Sequence, residues 1–297
     1  MSYALGVFCA IMSGTMNACG AILQKSVVNR MSVEKGGDSF MSQLLRSPAW
    51  VLSLVITFGL GTVFTLYSQS LIGPALVPGL AASGMIVLAI GSVRLIGEKL
   101  RPTEMLGIVL MVLGVFLLSY SNLSLSSDEL NLSDRGLLLR IGLFTVVLGL
   151  CWLLFLLLAQ RARDLAKGLT LAFSGGFLYG LSNLWIMPLL VTIGLVFAGT
   201  AQTIQVIVFV ISCVMLVTTN TAAIRQVQEA YRFAPASKVQ PIQHVPTQIV
   251  PILIYYMVFQ RSASGVATVL VPVSVALILI SGFLLARRKA ELDSRES

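Results

Sequence analysis

Charge is scarce in this chain. Only 11% of its 297 residues are Asp, Glu, Lys or Arg, where a soluble domain carries about 25%. With 57% hydrophobic residues and a mean hydropathy of +0.92, that shortage excludes a soluble globular protein and leaves too little polar sequence for a second, soluble domain. There is one histidine, His244, so no histidine cluster can cage a transition metal. Cys9, Cys19, Cys151 and Cys213 lie in apolar runs without paired spacing and read as packing residues, not disulfides or ligands. No glycine-rich nucleotide loop, HExxH or nucleophile elbow is present, so neither an enzyme nor a cofactor is expected. The N-terminal Met-Ser-Tyr has no basic region and no small-residue cleavage site, so the first apolar run is expected to be retained.

What remains is apolar sequence in lengths that match a bilayer. A membrane helix needs about 20 apolar residues. Nine runs qualify: Tyr3–Val28, Pro48–Ser70, Pro74–Ile96, Pro102–Ser121, Gly136–Ala159, Gly168–Ile193, Thr203–Arg225, Lys238–Gln260 and Ser262–Ala286. The expected fold is an all-α polytopic membrane protein of about nine transmembrane helices. The net charge of +8 does not mark a nucleic-acid binder, because the basic residues are scattered through short loops. With the N-terminus outside, only Arg135, Arg140 and Arg261 face outward, and the other 17 of the 20 basic residues lie inside. That bias points to an outside N-terminus and a cytoplasmic C-terminus and supports an odd helix count; the plasma (inner) membrane is the expected location.

Weak internal similarities recur in the same order in both halves. Ser13-Gly14 is matched by Ser174-Gly175, and Gly114-Val115-Phe116-Leu117-Leu118 by Gly282-Phe283-Leu284-Leu285. The short turn at 67–78, with a proline just inside the next helix, is matched by the turn at 231–241. The layout is then four helices at 1–121, an outer polar linker at 122–135 and a linker helix at 136–160. A second, inverted set of four at 161–290 and a polar tail at 291–297 complete it. This 4+1+4 inverted-topology repeat is a transporter architecture, with the substrate near mid-membrane.

The most informative run is the eighth. Gln240, Gln243, His244, Thr247 and Gln248 recur at helical spacing on one face, opposite Val239, Ile242, Val245, Ile249 and Ile252. In lipid each unpaired polar group costs several kcal/mol, so the stripe must face protein or a wet cavity. Gluing helices together is the plainer use of such a stripe. Pro241, Pro246 and Pro251 interrupt the run and are expected to kink or locally unwind it, as Pro78 does in the third. Asn17 and Gln24 share a face of the first helix, and Asn183 is the one amide of the sixth. These are the candidate substrate-binding residues. His244 is also a candidate proton relay. Glu98 and Glu229 are candidate gating or coupling groups, and Arg225 stands four residues before Glu229, where the two can pair.

The stretch Leu66 to Leu118, with Tyr67, Pro74, Pro78, the Gly97-Glu98-Lys99-Leu100 turn and Gly107…Gly114, resembles the drug/metabolite transporter superfamily. Within it, the single helix before the loop at 29–47, then Pro48-Ala49-Trp50, is similar to the NIPA-type magnesium transporters, as is Gln226 to Gln260. The resemblance implies a secondary permease for a divalent cation, Mg²⁺. No ligand set carries over residue by residue, so the metal ligands stay unassigned. Mg²⁺ favours one or two carboxylates plus waters, yet no acidic residue falls mid-span. A hydrated ion held by Asn, Gln and carbonyl oxygens remains open, and so does a small polar organic metabolite. A non-transporting scaffold or lipid translocator is the third class. The expected partners are the lipid bilayer, the solute and a second copy in a homodimer, and not nucleic acid.

Overall fold

Prolines and polar caps punctuate the apolar runs, and helices form between them. The computed structural model describes residues 2–31, 40–72, 77–97, 100–121, 132, 134–260, 262 and 265–286. Glu98, most of the 122–135 linker and the 291–297 tail lie outside the described residues. The helices in chain order are α1 (Ser2–Met31), α2 (Phe40–Arg46), α3 (Pro48–Leu54), α4 (Thr62–Ile72), α5 (Val77–Ala81) and α6 (Gly84–Gly91). They continue with α7 (Pro102–Tyr120), α8 (Arg135–Arg161), α9 (Asp164–Phe197), α10 (Thr203–Phe233), α11 (Ala236–Leu253) and α12 (Ala267–Ala286). π-Helical turns at Val55–Gly61, Ser92–Ile96 and Ile254–Val258 join α3 to α4 and extend α6 and α11. Among the described residues each predicted run is largely helical, the third interrupted between α5 and α6, with α2 an unforeseen short helix between the first two. No strand occurs among the described residues.

Several helix ends show why they sit where they do. α7 begins with Pro102, whose missing N–H is harmless in the first turn, and Glu104 Oε2 accepts from Arg101 N at 3.1 Å. At α8, the Asp134 carboxylate accepts from the backbone N–H groups of Gly136 and Leu137. α9 ends on Gly199, whose φ of +70° is open to glycine without strain, and Thr200 N then donates to Leu195 O.

Seven of the helices are long and apolar enough to cross a membrane, and Gly84–Ile96 is a shorter apolar helix. Their outer faces are bare hydrocarbon. On α8 alone Leu139, Leu143, Val146 and Leu150 stand 58–74% exposed, which only a lipid solvent tolerates over so large an area. The eighth run, α11, carries the polar stripe and is enclosed by protein.

α1 packs along α3–α4 and α5–α6, while α9 lies against α8, α10 and α11. α7 and α12 run together through Gly107 and Gly114, which face Ser281, Leu285, Ser274 and Ile278. One apolar core joins α1, α6, α7, α9, α10, α11 and α12, and a second lies between α8, α9, α10 and α11. α11 touches α1, α6, α7 and α12 as well as α9 and α10, so the most polar helix is also the one most enclosed.

In α11 no helical turn is lost at the prolines. The helix runs unbroken through Pro241, Pro246 and Pro251, and only beyond Pro251 does it widen into a π turn. Close packing supports it: Gly176 of α9 offers no side chain where Pro246 and Gln243 O approach. The break falls instead in the third rod, at Ala82–Ser83 between α5 and α6. Pro78 does not make it directly, since Pro78 occupies the first turn of α5, where proline starts helices.

Candidate functional site

All five residues of the α11 stripe reach one cavity system. One cavity of about 200 Å³ is lined by Asn17 of α1, by Ala81, Ala82 and Gly84 at the α5–α6 break, and by Gln240, His244 and Gln248 of α11. A second, of about 260 Å³, is lined by Asn17, Gln24, Thr57, Tyr179, Gln243 and Thr247 among others. The two share Asn17, Ala21, Gln240 and His244, so they meet where α1 passes α11. The apolar face opposite the stripe is buried instead: Val239, Ile242, Val245 and Ile252 sit in the protein interior.

Three polar atoms in this region are buried and have no hydrogen-bond partner: Thr57 Oγ1, Gln243 Oε1 and His244 Nδ1. All three residues line the larger cavity. Buried polar atoms are nearly always paired, and leaving one unpaired costs about 1–3 kcal/mol. Thr247 is already satisfied, its Oγ1 donating to Gln243 O at 2.9 Å.

Glycines seat the facing groups. A Cβ on Gly20 would stand 1.9 Å from Thr57 Oγ1, and one on Gly61 would stand 2.9 Å from Asn17 Oδ1. α1 and the rod formed by α3 and α4 thus leave slots for each other's polar side chains. Thr57 lies within the π turn at Val55–Gly61, a distortion that often accompanies functional sites. The cavity carries no carboxylate, and no cluster of three His, Cys, Asp or Glu occurs among the described residues.

Towards the end of the bundle where α10 turns into α11, a polar network closes the space. Trp50 Nε1 donates to Gln228 Oε1 at 3.2 Å, and Gln228 Nε2 donates to Gln24 Oε1 at 2.6 Å. Lys25 donates to the Tyr231 carbonyl, and Gln240 to the Tyr231 hydroxyl. Lys238 Nζ lies 2.6 Å from Glu104 Oε1, with both side chains almost fully buried. α1, α3, α7, α10 and α11 are all tied at this end.

The family described as magnesium transporter NIPA matches residues 1–292, nearly the whole chain. The chain belongs to the NIPA magnesium transporter family. It is accordingly a membrane transporter and an integral membrane protein. No curated protein and no solved structure matches it.

Among the sequence candidates of this NIPA-family chain, Asn17, Gln24, Gln240, Gln243, His244, Thr247 and Gln248 line the cavities. Asn183 does not; it stands one turn beyond Tyr179 on α9, beside Ser182, which accepts from Asn220. Glu229 pairs with Arg232 at 3.9 Å, not with the exposed Arg225. A helix favours an acid N-terminal to its base, and Arg232 is held nearby by stacking on Phe40 and Phe233. Thr57, Tyr179 and the Glu104–Lys238 pair were missed. Thr57 was a single hydroxyl in an apolar run, and the pair joins helix starts far apart in the chain. The one available sign of the pair was that both charges sit at the same end of the bundle.

Proposed function

We propose that this transporter carries a divalent cation, Mg²⁺, across the plasma (inner) membrane by alternating access, through the cavity between α1 and α11. The observation that carries the reading is the cavity itself, lined by the uncharged polar side chains of Asn17, Gln24, Thr57, Gln240, Gln243, His244 and Thr247. Each of them is able to accept a hydrogen bond. A donor-rich guest fits them, and a metal ion with its water is one. The absent carboxylate favours the second reading, a small polar organic metabolite. Such a solute presents acceptors as well as donors, and the amide N–H groups of the lining Asn and Gln side chains can meet the acceptors.

The 4+1+4 inverted arrangement supports alternating access. The first helix of each proposed set crosses its third at a glycine: Gly14 against Ala81 O, and Gly176 against Gln243 O. The network at Trp50, Gln228, Lys25, Tyr231, Glu104 and Lys238 serves as the closed cytoplasmic gate, with Glu229–Arg232 at its rim.

Two expected results test this. Purified protein in dye-loaded liposomes will take up Mg²⁺ without ATP. Gln243→Ala or His244→Ala will lower uptake about tenfold, the kinetic equivalent of one lost buried hydrogen bond, with elution and unfolding temperature unchanged. Uptake unaltered in both variants would remove the site from these residues, and no uptake in the parent would reject the cation. For orientation, cysteines placed at the exposed positions Thr200 and Arg163 should react with impermeant maleimide from outside and inside respectively. Reaction of both from one side sinks the topology.

A further inference from the structure

We propose that the groove between α6 and α7 holds one anionic glycerophospholipid, with an acyl chain between the helices and the phosphate on Arg94. This site is separate from the polar cavities between α1 and α11.

The groove measures about 300 Å³. Ile86, Ile90 and Val93 form one wall, at helical spacing on one face of α6 and its π extension. Met105 and Val109, one turn apart on α7, form the other. These five are exposed, while Ala89 and Ile108 at the floor are buried. Apart from Arg94, every residue that lines the groove is apolar. Water finds no partner in such a place, and an apolar trough open to a bilayer fills with hydrocarbon.

Charge then selects the lipid. Arg94 ends the same α6 face, next to Val93, and is exposed. Its aliphatic stem lies along the groove, which leaves the guanidinium free to reach headgroup level. Arg101, also exposed, follows Leu100, another lining residue. A guanidinium binds a phosphate through two parallel N–H···O bonds. Glu104, at the start of α7, does not oppose an anion there, because it is buried against Lys238. Cations at the mouth of an apolar groove between membrane helices favour a headgroup of net negative charge over a zwitterionic one.

The lipid would brace a thin wall. α6 is one helix thick: Met85 and Leu88 line the α1–α11 cavity, and Ile86 and Ile90 line the groove on its other side. On α7, the groove residue Met105 follows Glu104, the acid of the buried pair. Occupation of the groove therefore stabilises the folded protein.

Unfolding temperatures of the purified full chain, in detergent and magnesium-free buffer, test this with dioleoylphosphatidylglycerol or dioleoylphosphatidylcholine added. The anionic lipid should raise the temperature about 5 °C more than the zwitterionic one, as expected of a site filled well above its dissociation constant. Arg94→Gln should remove most of that difference. Arg163→Gln, at an exposed position outside the groove, should keep it. Val109→Trp should blunt it by filling the groove. Equal stabilisation by both lipids overturns the proposal, since charge then selects nothing. A difference that survives Arg94→Gln also overturns it, as does one that Arg163→Gln abolishes equally, which would be general surface attraction. Glycerol phosphate, the headgroup without its chains, should have no effect. Stabilisation by it as large as by the intact lipid would remove the acyl chain from the groove and overturn the proposal. Should Val109→Trp fail to elute as folded protein, the two exposed arginine variants decide.

Discussion

Glu104→Gln will destabilise the protein by about 3–5 kcal/mol, the usual cost of removing one partner from a buried ion pair. The Glu104 and Lys238 side chains are 3% and 0% exposed, 2.6 Å apart. Neutralising the acid takes the Glu104 carboxylate away from an ammonium in a low-dielectric interior. The second oxygen of Glu104 also takes the Arg101 N–H that opens α7, and glutamine can keep only that part. Lys238→Met should cost a similar amount by stranding the carboxylate. The double variant Glu104→Gln/Lys238→Met should recover most of the loss, since no charge is then left without its partner. Unfolding temperatures of detergent-purified protein, with loss of helical signal as the readout, check this. Single variants within about 0.5 kcal/mol of the parent, the range of ordinary surface changes, would show that the pair is not buried. Because the pair ties α7 to the first turn of α11, the double variant also asks whether the proposed gate needs the charges or only the packing.

Gly14→Ala will be more damaging than its one added methyl suggests. The new Cβ would lie 2.0 Å from Ala81 O, a backbone atom that no rotamer change can move, and Gly84 meets Gly14 O at 2.2 Å in the same way. α1 and the α5–α6 break must then part, which opens the cavity wall at Asn17 and Ala82. Overpacking of this kind costs about 1–3 kcal/mol or more, and transport should be lost with it. Gly176→Ala on α9 should behave alike, with Gln243 O at 2.4 Å. Gly142→Ala and Gly149→Ala on α8 are the controls. Nothing lies within 4 Å of either added methyl, so each should stabilise its helix by up to about 1 kcal/mol through propensity alone. Equal loss of folded yield in all four variants would refute the steric account.

Helix count and placement were legible because they follow from local quantities. A run such as Gly136–Ala159 is apolar over its whole length, and a bilayer has few other uses for it. The stripe from Gln240 to Gln248 was legible for the same reason: its face is set by helical periodicity, whichever neighbours surround it. All five of its residues do reach the cavity. α11 stays helical through its three prolines, with Gly176 leaving room for Pro246, while the third run is interrupted at Ala82–Ser83. Asn183 lines neither cavity, since helical phase shows which side of α9 a residue takes and not how far a cavity extends along that side.

Composition, hydropathy and periodicity by themselves determined an all-helical membrane protein with a polar seam, since each is a property of a residue and its near neighbours. Only the tertiary structure decided what the seam faces. Thr57 is one hydroxyl in an apolar run until Gly20 leaves room for it beside α11. Glu104 and Lys238 are two ordinary helix-start charges until folding buries them together. Pairing of that kind depends on which distant helices approach within a few ångströms, and an amino-acid order read along one chain does not carry that distance.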